Sequence, residues 1–523
     1  MNANNSTRRD FLKALGLATV GAGAWRRLAA AGQSGARPNI VLILADDMGY
    51  GDLACQNPES KIVTPNLDRL AEQGVRFTDA HSPSSVGRGS RYGLLTGRYP
   101  WRAELKRGAQ QCWSPSVIEP DRLTVGKLLK QHGYDTACIG KWHLGMDWPT
   151  TDGKGPICVG RTRTPDGRTN VDFSKPITNG PTAHGFNYYF GVLATHFAPY
   201  CFIENEHSVG IPTVRKSGIP GCPGPMLEGW KLEEILPGLM KKAVEYIDAK
   251  GGRVRNKGFR QTEGEPFFLY VPLTAPRVPI VPAEQFTGKS KAGRYGDFVQ
   301  QVDYVVGQVG AALKRDGFER DTLLIFTSDN GSPARDGTNM SGAVGSVKKL
   351  GHNPSHIYRG LKADAWEGGH RVPFVTRRPG HIPAGSTSDE LICHVDLLAT
   401  CAAILGAKLP VNAGEDSHNI LPALLGKPLS GSIREAVVHH SGNGVFAVRC
   451  GKWKLIQGLG SGGFSRPARI KPEESGPTGQ LYDIEADPSE TKNLYLERAD
   501  VVKRLEGLLE RYKSSGRSAP QGR

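Results

Sequence analysis

Asn39-Ile40-Val41-Leu42-Ile43-Leu44 runs directly into Ala45-Asp46-Asp47. An apolar run of this length with no polar alternation reads as a β-strand buried on both faces, as at the centre of a parallel sheet. The two carboxylates then fall at its carboxyl end. A second run, Thr322-Leu323-Leu324-Ile325-Phe326-Thr327, ends the same way in Ser328-Asp329-Asn330-Gly331. Ligands of open α/β sheets gather at the carboxyl ends of the strands, so the two acidic pairs should lie side by side. Three carboxylates and an amide oxygen make an all-oxygen set for a hard cation, Ca²⁺ in preference to Mg²⁺.

Working outward, Pro266–Pro272 is a further buried-strand run and Asp135–Ile139 a shorter one. Thr64–Ala71, with Pro65 in its first turn, reads as a capped helix, and Thr124–His132, Leu232–Ala249 and Tyr295–Lys314 carry helical spacing. Strands alternating with helices predict an α/β fold: a large domain with a central, mostly parallel sheet flanked by helices. After about residue 430 the texture shortens. Gly444–Arg449 and Trp453–Ile456 read as a hairpin, Leu481–Ile484 as a strand and Ala499–Lys513 as a closing helix. That is a smaller C-terminal α+β domain with an antiparallel sheet. The expected boundaries are a leader at 1–31, the large domain at 37–430 and the small one at 431–523. The Gly/Pro-rich stretches 149–182 and 207–226 are expected as surface excursions carrying specificity.

Thr7-Arg8-Arg9-Asp10-Phe11-Leu12-Lys13, an apolar run from Ala14 to Ala24 and Ala29-Ala30-Ala31 resemble a twin-arginine export signal with a small-residue cleavage site. The protein is therefore expected to be periplasmic or extracellular, with no segment long enough for a stable membrane span. Formal charge is +15. A polyanionic partner fits; on charge a sulfated polysaccharide fits as well as nucleic acid does, and no nucleic-acid module is in view. Nine cysteines without a CxxC pair argue against a zinc site and leave the disulfide pairing open. Oligomeric state is not readable.

Residues 81–102, HSPSSVGRGSRYGLLTGRYPWR, and Gly140-Lys141-Trp142-His143-Leu144-Gly145 carry the remaining chemistry. Lys141 and His143 alternate along what reads as an extended segment, so both can face one side. These two motifs resemble those of the sulfatase family, arylsulfatase type, of the alkaline-phosphatase-like superfamily. So do Arg359-Gly360-Leu361-Lys362 with Trp366–Pro373 and the C-terminal Leu481-Tyr482-Asp483 and Asp487–Glu490 stretches. The resemblance spans about residues 37–495. It implies a sulfuric-ester hydrolase acting on sulfated carbohydrate or a small aryl sulfate at a Ca²⁺-assisted site. Asp46, Asp47, Asp329 and Asn330 would hold the metal and Arg91 would stabilise the nucleophile loop. Lys141 and Lys362 would hold sulfate oxygens, and His143 would take the proton that breaks down the sulfated intermediate. Arg359 and Arg371 are expected to be structural ion-pair residues.

Two positions depart from the family pattern. Counting back from Leu94-Leu95-Thr96-Gly97-Arg98, the nucleophile position falls on Gly87 and the family's Pro on Gly89. Glycine has no side chain to oxidise, so formylglycine cannot form at Gly87. In Thr274-Ala275-Pro276-Arg277 the family's His is replaced by Arg277, which grips an anion but cannot act as a general acid near neutral pH. Both changes subtract catalysis and keep anion binding. The readings are thus a sulfatase by family whose formylglycine-dependent activity is expected to be lost; a catalytically inactive, Ca²⁺-binding, sulfated-glycan-binding protein; and an ester hydrolase using a different nucleophile, such as Ser84, Ser85 or Ser90.

Overall fold

The computed structural model describes residues 37–520 apart from 104, 106–111, 158–168, 217–220, 254–257 and 260–263. The leader expected at 1–31 lies outside the described residues, as do Cys158 and parts of both excursions.

The main-sheet strands are β1 (Asn39–Asp46), β2 (Val75–Phe77), β3 (Asp135–Lys141), β4 (Tyr188–Val192), β5 (Ile203–Glu204), β6 (His207–Ser208), β7 (Phe267–Pro276), β8 (Thr322–Ser328), β9 (Phe374–Arg377) and β10 (Ser386–Ser388). They lie in the order β10-β2-β9-β8-β1-β7-β3-β4-β5-β6. The central run β8-β1-β7-β3-β4 is parallel throughout. Short antiparallel pairings flank it on both sides. The sheet is therefore mostly parallel, as the apolar runs require.

Successive residues of β1 feed two different cores. Val41, Ile43 and Ala45 face one, packed with α1 (Pro65–Glu72), α4 (Ile235–Lys250) and α5 (Gly293–Arg315). Ile40, Leu42 and Leu44 face the other, with α2 (Gly87–Thr96), α3 (Val125–Gln131) and α6 (Leu397–Leu405). Burial on both faces is why β1 shows no alternation.

The C-terminal part forms a second, four-stranded antiparallel sheet of β11 (Val437–His440), β12 (Phe446–Cys450), β13 (Trp453–Ile456) and β14 (Gln480–Asp483) in sequence order. Its apolar side is closed by Val501, Leu505 and Leu509 of α7 (Ala499–Ser514).

One local expectation is corrected. Thr64 precedes α1 but does not cap it with its side chain. The carboxylate of Asp303, in the middle of α5, accepts from Leu67 N at 2.8 Å and Asn66 N at 3.0 Å. A partner 236 residues away supplies what a Ser or Thr N-cap usually does. By contrast Thr124 does cap α3, accepting from Lys127 N at 3.0 Å.

Candidate functional site

The carboxyl edge of the parallel strands gathers the acidic pairs and several of the cationic residues picked from the sequence. Asp46 ends β1, Lys141 ends β3, Arg277 follows β7 and Asp329 follows β8. Asp46, Asp47, Asp329, Asn330, Arg91 and Lys141 are all almost fully buried. Backbone pairing of the two central strands sets the acidic pairs together: Asp47 N donates to Asp329 Oδ1 at 3.1 Å and Met48 N to Ser328 Oγ at 2.9 Å. Asn330 Nδ2 then donates to Asp47 Oδ1 at 2.9 Å.

Carboxylate oxygens of Asp46, Asp47 and Asp329 converge to within 4.8 Å of one another. Two buried acceptors at this point, Asp46 Oδ1 and Asn330 Oδ1, have no hydrogen-bond donor. Buried acceptors left open cost free energy unless a cation or donor meets them. The donor set, all oxygen with two open acceptors, therefore fits a hard divalent cation.

Cations ring the acids. Lys141 Nζ lies 2.6 Å from Asp46 Oδ2, and Lys362 Nζ pairs with Asp47 Oδ1. Arg91 donates to Asp329 Oδ2 from Nη2 at 2.9 Å and from Nε at 3.1 Å. Burial opposes the Arg91 charge, but the Asp329 and Asp46 carboxylates overcome it and hold the guanidinium ionised. At Lys141 burial wins over Asp46 and pushes the ammonium down to about 7. Burial, with Lys141 and Arg277 nearby, pushes His143 well below the usual histidine range.

His143 does not sit on an extended segment as its alternation with Lys141 implied. Its φ is +53°, a left-handed conformation that non-glycine residues adopt rarely. The bend still leaves both side chains lining one cavity of about 680 Å³, together with Gly87, Arg277 and Lys362.

His196 is a pocket residue that the sequence reading missed. Its Nδ1 lies 2.6 Å from Arg277 Nη1, and burial with the Arg277 charge keeps the ring neutral. Its signal was available: Ala194-Thr195-His196 follows the carboxyl end of the parallel strand β4. Arg277 Nε also lies 3.6 Å from Asp47 Oδ2 and 3.9 Å from Asp46 Oδ1.

The signature stretch forms α2, and Gly87 is its first residue. The helix ends at Gly97, whose φ of +66° supplies the left-handed C-terminal turn and whose N–H bonds Gly93 O at 2.9 Å. At the other end Val86 provides no side-chain cap. The N–H groups of the first turn have no intrahelical partners, and Val86, Gly87 and Arg88 line the cavity, so this helix start is a favourable place for an anion. A Cβ added at Gly87 would come within 3.0 Å of Asp329 Oδ2, closer than real Cβ atoms come, and 3.0 Å from Asp329 Cγ. The Asp329 carboxylate occupies the space that a side chain here would enter.

The serines near Gly87 point elsewhere. Ser85 Oγ donates to His440 O at 3.0 Å, and Ser84 Oγ accepts from Val86 N at 3.3 Å. Ser90 Oγ meets His394 Nδ1 at 3.1 Å. All three are buried, and none lines the cavity.

A second buried cluster lies off the cavity, where ring nitrogens of His81, His370 and His439 converge to within 4.8 Å. His81 Nε2 meets Asp79 Oδ1 at 2.7 Å, His81 Nδ1 meets His370 Nδ1 at 3.0 Å, and His370 Nε2 meets Lys454 Nζ at 3.1 Å. One assignment satisfies the chain: Lys454 donates to His370, His370 to His81 and His81 to Asp79. Burial keeps all three rings neutral. Lys454 also bridges Glu367 at 3.0 Å and Glu490 at 2.9 Å. Arg371 pairs with Glu367 at 2.7 Å, the ion pair expected of it, whereas Arg359 forms no ion pair among the described residues: it stacks 3.7 Å over the Trp366 ring and donates to Glu490 O at 2.6 Å. This network ties the small sheet to Ala80–His81, a two-residue strand that precedes α2.

Known proteins agree with this architecture. The Sulfatase family model matches residues 38–407. The N-acetylgalactosamine-6-O-sulfatase of Bacteroides thetaiotaomicron is 35% identical over 92% of this chain and 94% of its own. Arylsulfatase A of Homo sapiens is 33% identical over 89% of this chain and 85% of its own. A solved Bacteroides thetaiotaomicron structure, described with the metabolism of multiple glycosaminoglycans, superposes with a TM-score of 0.76 at 33% identity. It covers 92% of this chain and 100% of that one. The mostly parallel sheet, the acidic edge and these likenesses together place the chain in the sulfatase family.

Proposed function

We propose that this protein captures sulfated glycans at the acidic edge of its sheet and does not hydrolyse them by the formylglycine route. The observation that carries the reading is Gly87. It stands at the first turn of α2 against Asp329, with no side chain to oxidise and no room for one while Asp329 keeps its place. Around it the anion-binding groups are retained. Lys141, Lys362 and Arg277 line the cavity with His143, and a low-dielectric site of fixed cations favours a sulfate ester. Arg277, held by His196 at Nη1 and facing Asp47 through Nε, adds a further positive charge to the cavity wall.

Asp46, Asp47, Asp329 and Asn330 hold a divalent cation, Ca²⁺ by their hard oxygen donors. When bound, that ion supplies positive charge for a sulfate oxygen. Lys141 and Lys362 then orient the ester, and neutral His143 and His196 offer hydrogen bonds to its remaining oxygens. The cavity volume suits a ligand of about one sulfated sugar. A sulfated carbohydrate is favoured over a bare aryl sulfate by the Bacteroides relative, whose name gives a sulfated sugar. Export by the leader at 1–31 and a boundary near residue 430 complete the proposal.

The test is turnover and binding measured side by side. The chain as it stands should give no turnover of an aryl sulfate or a sulfated sugar, while calorimetry shows Ca²⁺-dependent binding of a sulfated oligosaccharide. Turnover by the unmodified chain overturns the proposal, as does the absence of any sulfate-ester binding. Gly87→Cys/Gly89→Pro, made with the formylglycine-generating enzyme present, separates loss of the nucleophile from loss of the site. Activity gained there means that the remaining groups are competent and that Arg277 is tolerated.

A further inference from the structure

The cavity does not end at the sulfate-binding groups. On the side of the small C-terminal sheet its wall is the loop 459–470, which contributes Arg466 and Arg469. A second, wide-open depression shares Asn443, Arg466, Ala468 and Arg469 with the first. The two arginines therefore line both the inner pocket and the open surface beside it. Both are exposed, and neither forms an ion pair among the described residues. Arg88, from the first turn of α2, lines the same wall, and its Nε is buried without an acceptor.

The loop is built rather than slack. Leu459 and Ile470 form an antiparallel bridge, Ser461 N bonds Pro467 O at 3.1 Å, and Gly462 N bonds Ala468 O at 2.9 Å. It is also pinned to the segment that carries Lys362. Ala365 N bonds Ser461 O at 2.7 Å, and Ser465 N bonds Asp364 Oδ1 at 3.0 Å. The backbone that carries the two arginines is thus tied to the segment that carries Lys362, which lowers the ordering cost of binding.

We propose that Arg466 and Arg469, with Arg88, form a second anion subsite. It recognises a carboxylate or sulfate on the sugar next to the one whose sulfate ester enters the inner pocket. Guanidinium forks take both groups bidentately, so they share one chemistry here. The ligand class is then a polyanionic oligosaccharide with charge on successive residues, rather than a singly sulfated sugar or a small aryl sulfate. This inference rests on the reading that the inner pocket holds a sulfate ester.

Calorimetry with three sulfated disaccharides tests it: one with a neutral neighbouring sugar, one with a uronate neighbour and one with a second sulfate on the neighbour. For the wild-type chain each added anion should tighten binding about tenfold or more, the scale of a charge-assisted bidentate contact. Arg466→Ala/Arg469→Ala should bring both charged ligands down to the neutral one. The neutral ligand itself should keep its affinity. Arg466→Gln/Arg469→Gln should behave the same way, since it removes charge with little change in size. If the anions confer no gain on the wild type, or if the variants weaken all three ligands equally, the subsite is wrong while the inner pocket stands. If the wild type binds none of the three, the sulfate reading fails and takes this inference with it. The uronate and disulfate arms tell which anion the subsite prefers.

Discussion

Replacing Gly87 by alanine isolates the steric claim at the centre of the site. The new Cβ would fall within 3.0 Å of Asp329 Oδ2 and 3.4 Å from Asn330 Oδ1. The carboxylate must turn away, and it then gives up the Arg91 hydrogen bonds at 2.9 and 3.1 Å. Overpacking of this kind costs about 1–3 kcal/mol. Charge-assisted hydrogen bonds contribute about 1.5–3 kcal/mol each, part of which is recovered as Asp329 finds new donors. We expect Gly87→Ala to destabilise the metal-free protein by about 2–4 kcal/mol, read from urea unfolding followed by tryptophan fluorescence in the presence of a chelator. Gly310→Ala is the control. It lies within α5 with nothing within 4 Å of its added Cβ, so it should gain about 0.5–1 kcal/mol. In an Asp329→Ala background most of the Gly87→Ala cost should vanish, because the obstructing carboxylate is gone. Equal stability of Gly87→Ala and wild type, or the same cost with and without Asp329, would refute the claim that Asp329 fills the nucleophile's space.

Ca²⁺ should raise the unfolding free energy of the wild type by about 2.7 kcal/mol at a hundredfold excess over its dissociation constant. Asp46→Ala/Asp329→Ala should show no such shift in the same denaturation series. Lys454→Met leaves the buried carboxylates of Glu367 and Glu490 without their shared cation and should cost about 3–5 kcal/mol, visible as an early urea midpoint. Asp303 gives a pH signature. Burial pushes its carboxyl up to about 6 in the folded chain, against the usual unfolded value near 4. The folded state therefore binds the proton more tightly, and this group's contribution to stability falls as pH rises through that window, by at most about 3 kcal/mol. The stability of Asp303→Asn relative to wild type should improve between pH 4 and pH 6 and stay level above it; a flat difference across the window would count against the raised carboxyl.

Much of the fold could be read from β1, β7 and β8, whose unbroken apolar runs admit few environments other than the centre of a parallel sheet. The small sheet was legible for the opposite reason, short alternating strands joined by tight turns at 444–456. The acidic cluster was legible because strand ends have a fixed place in such sheets: once β1 and β8 are neighbours, Asp46, Asp47, Asp329 and Asn330 must meet. The cap on α1 was not, since it depends on Asp303 approaching from another helix, and no local pattern records that approach.

The sequence by itself determined the family resemblance, the acidic edge and the two departures, Gly87 and Arg277, because each is a matter of residue type at a known spacing. Only the tertiary structure decided what surrounds them. It put the Asp329 carboxylate into the space beside Gly87, turned Ser84, Ser85 and Ser90 away from the cavity, and set His196 against Arg277. It also carried Arg466 and Arg469, on the loop between β13 and β14, to the wall of the cavity that holds Lys141 and Lys362. The physical reason is range. Burial, periodicity and turn chemistry are local properties of the chain, whereas which side chains share a cavity is set by contacts between segments hundreds of residues apart.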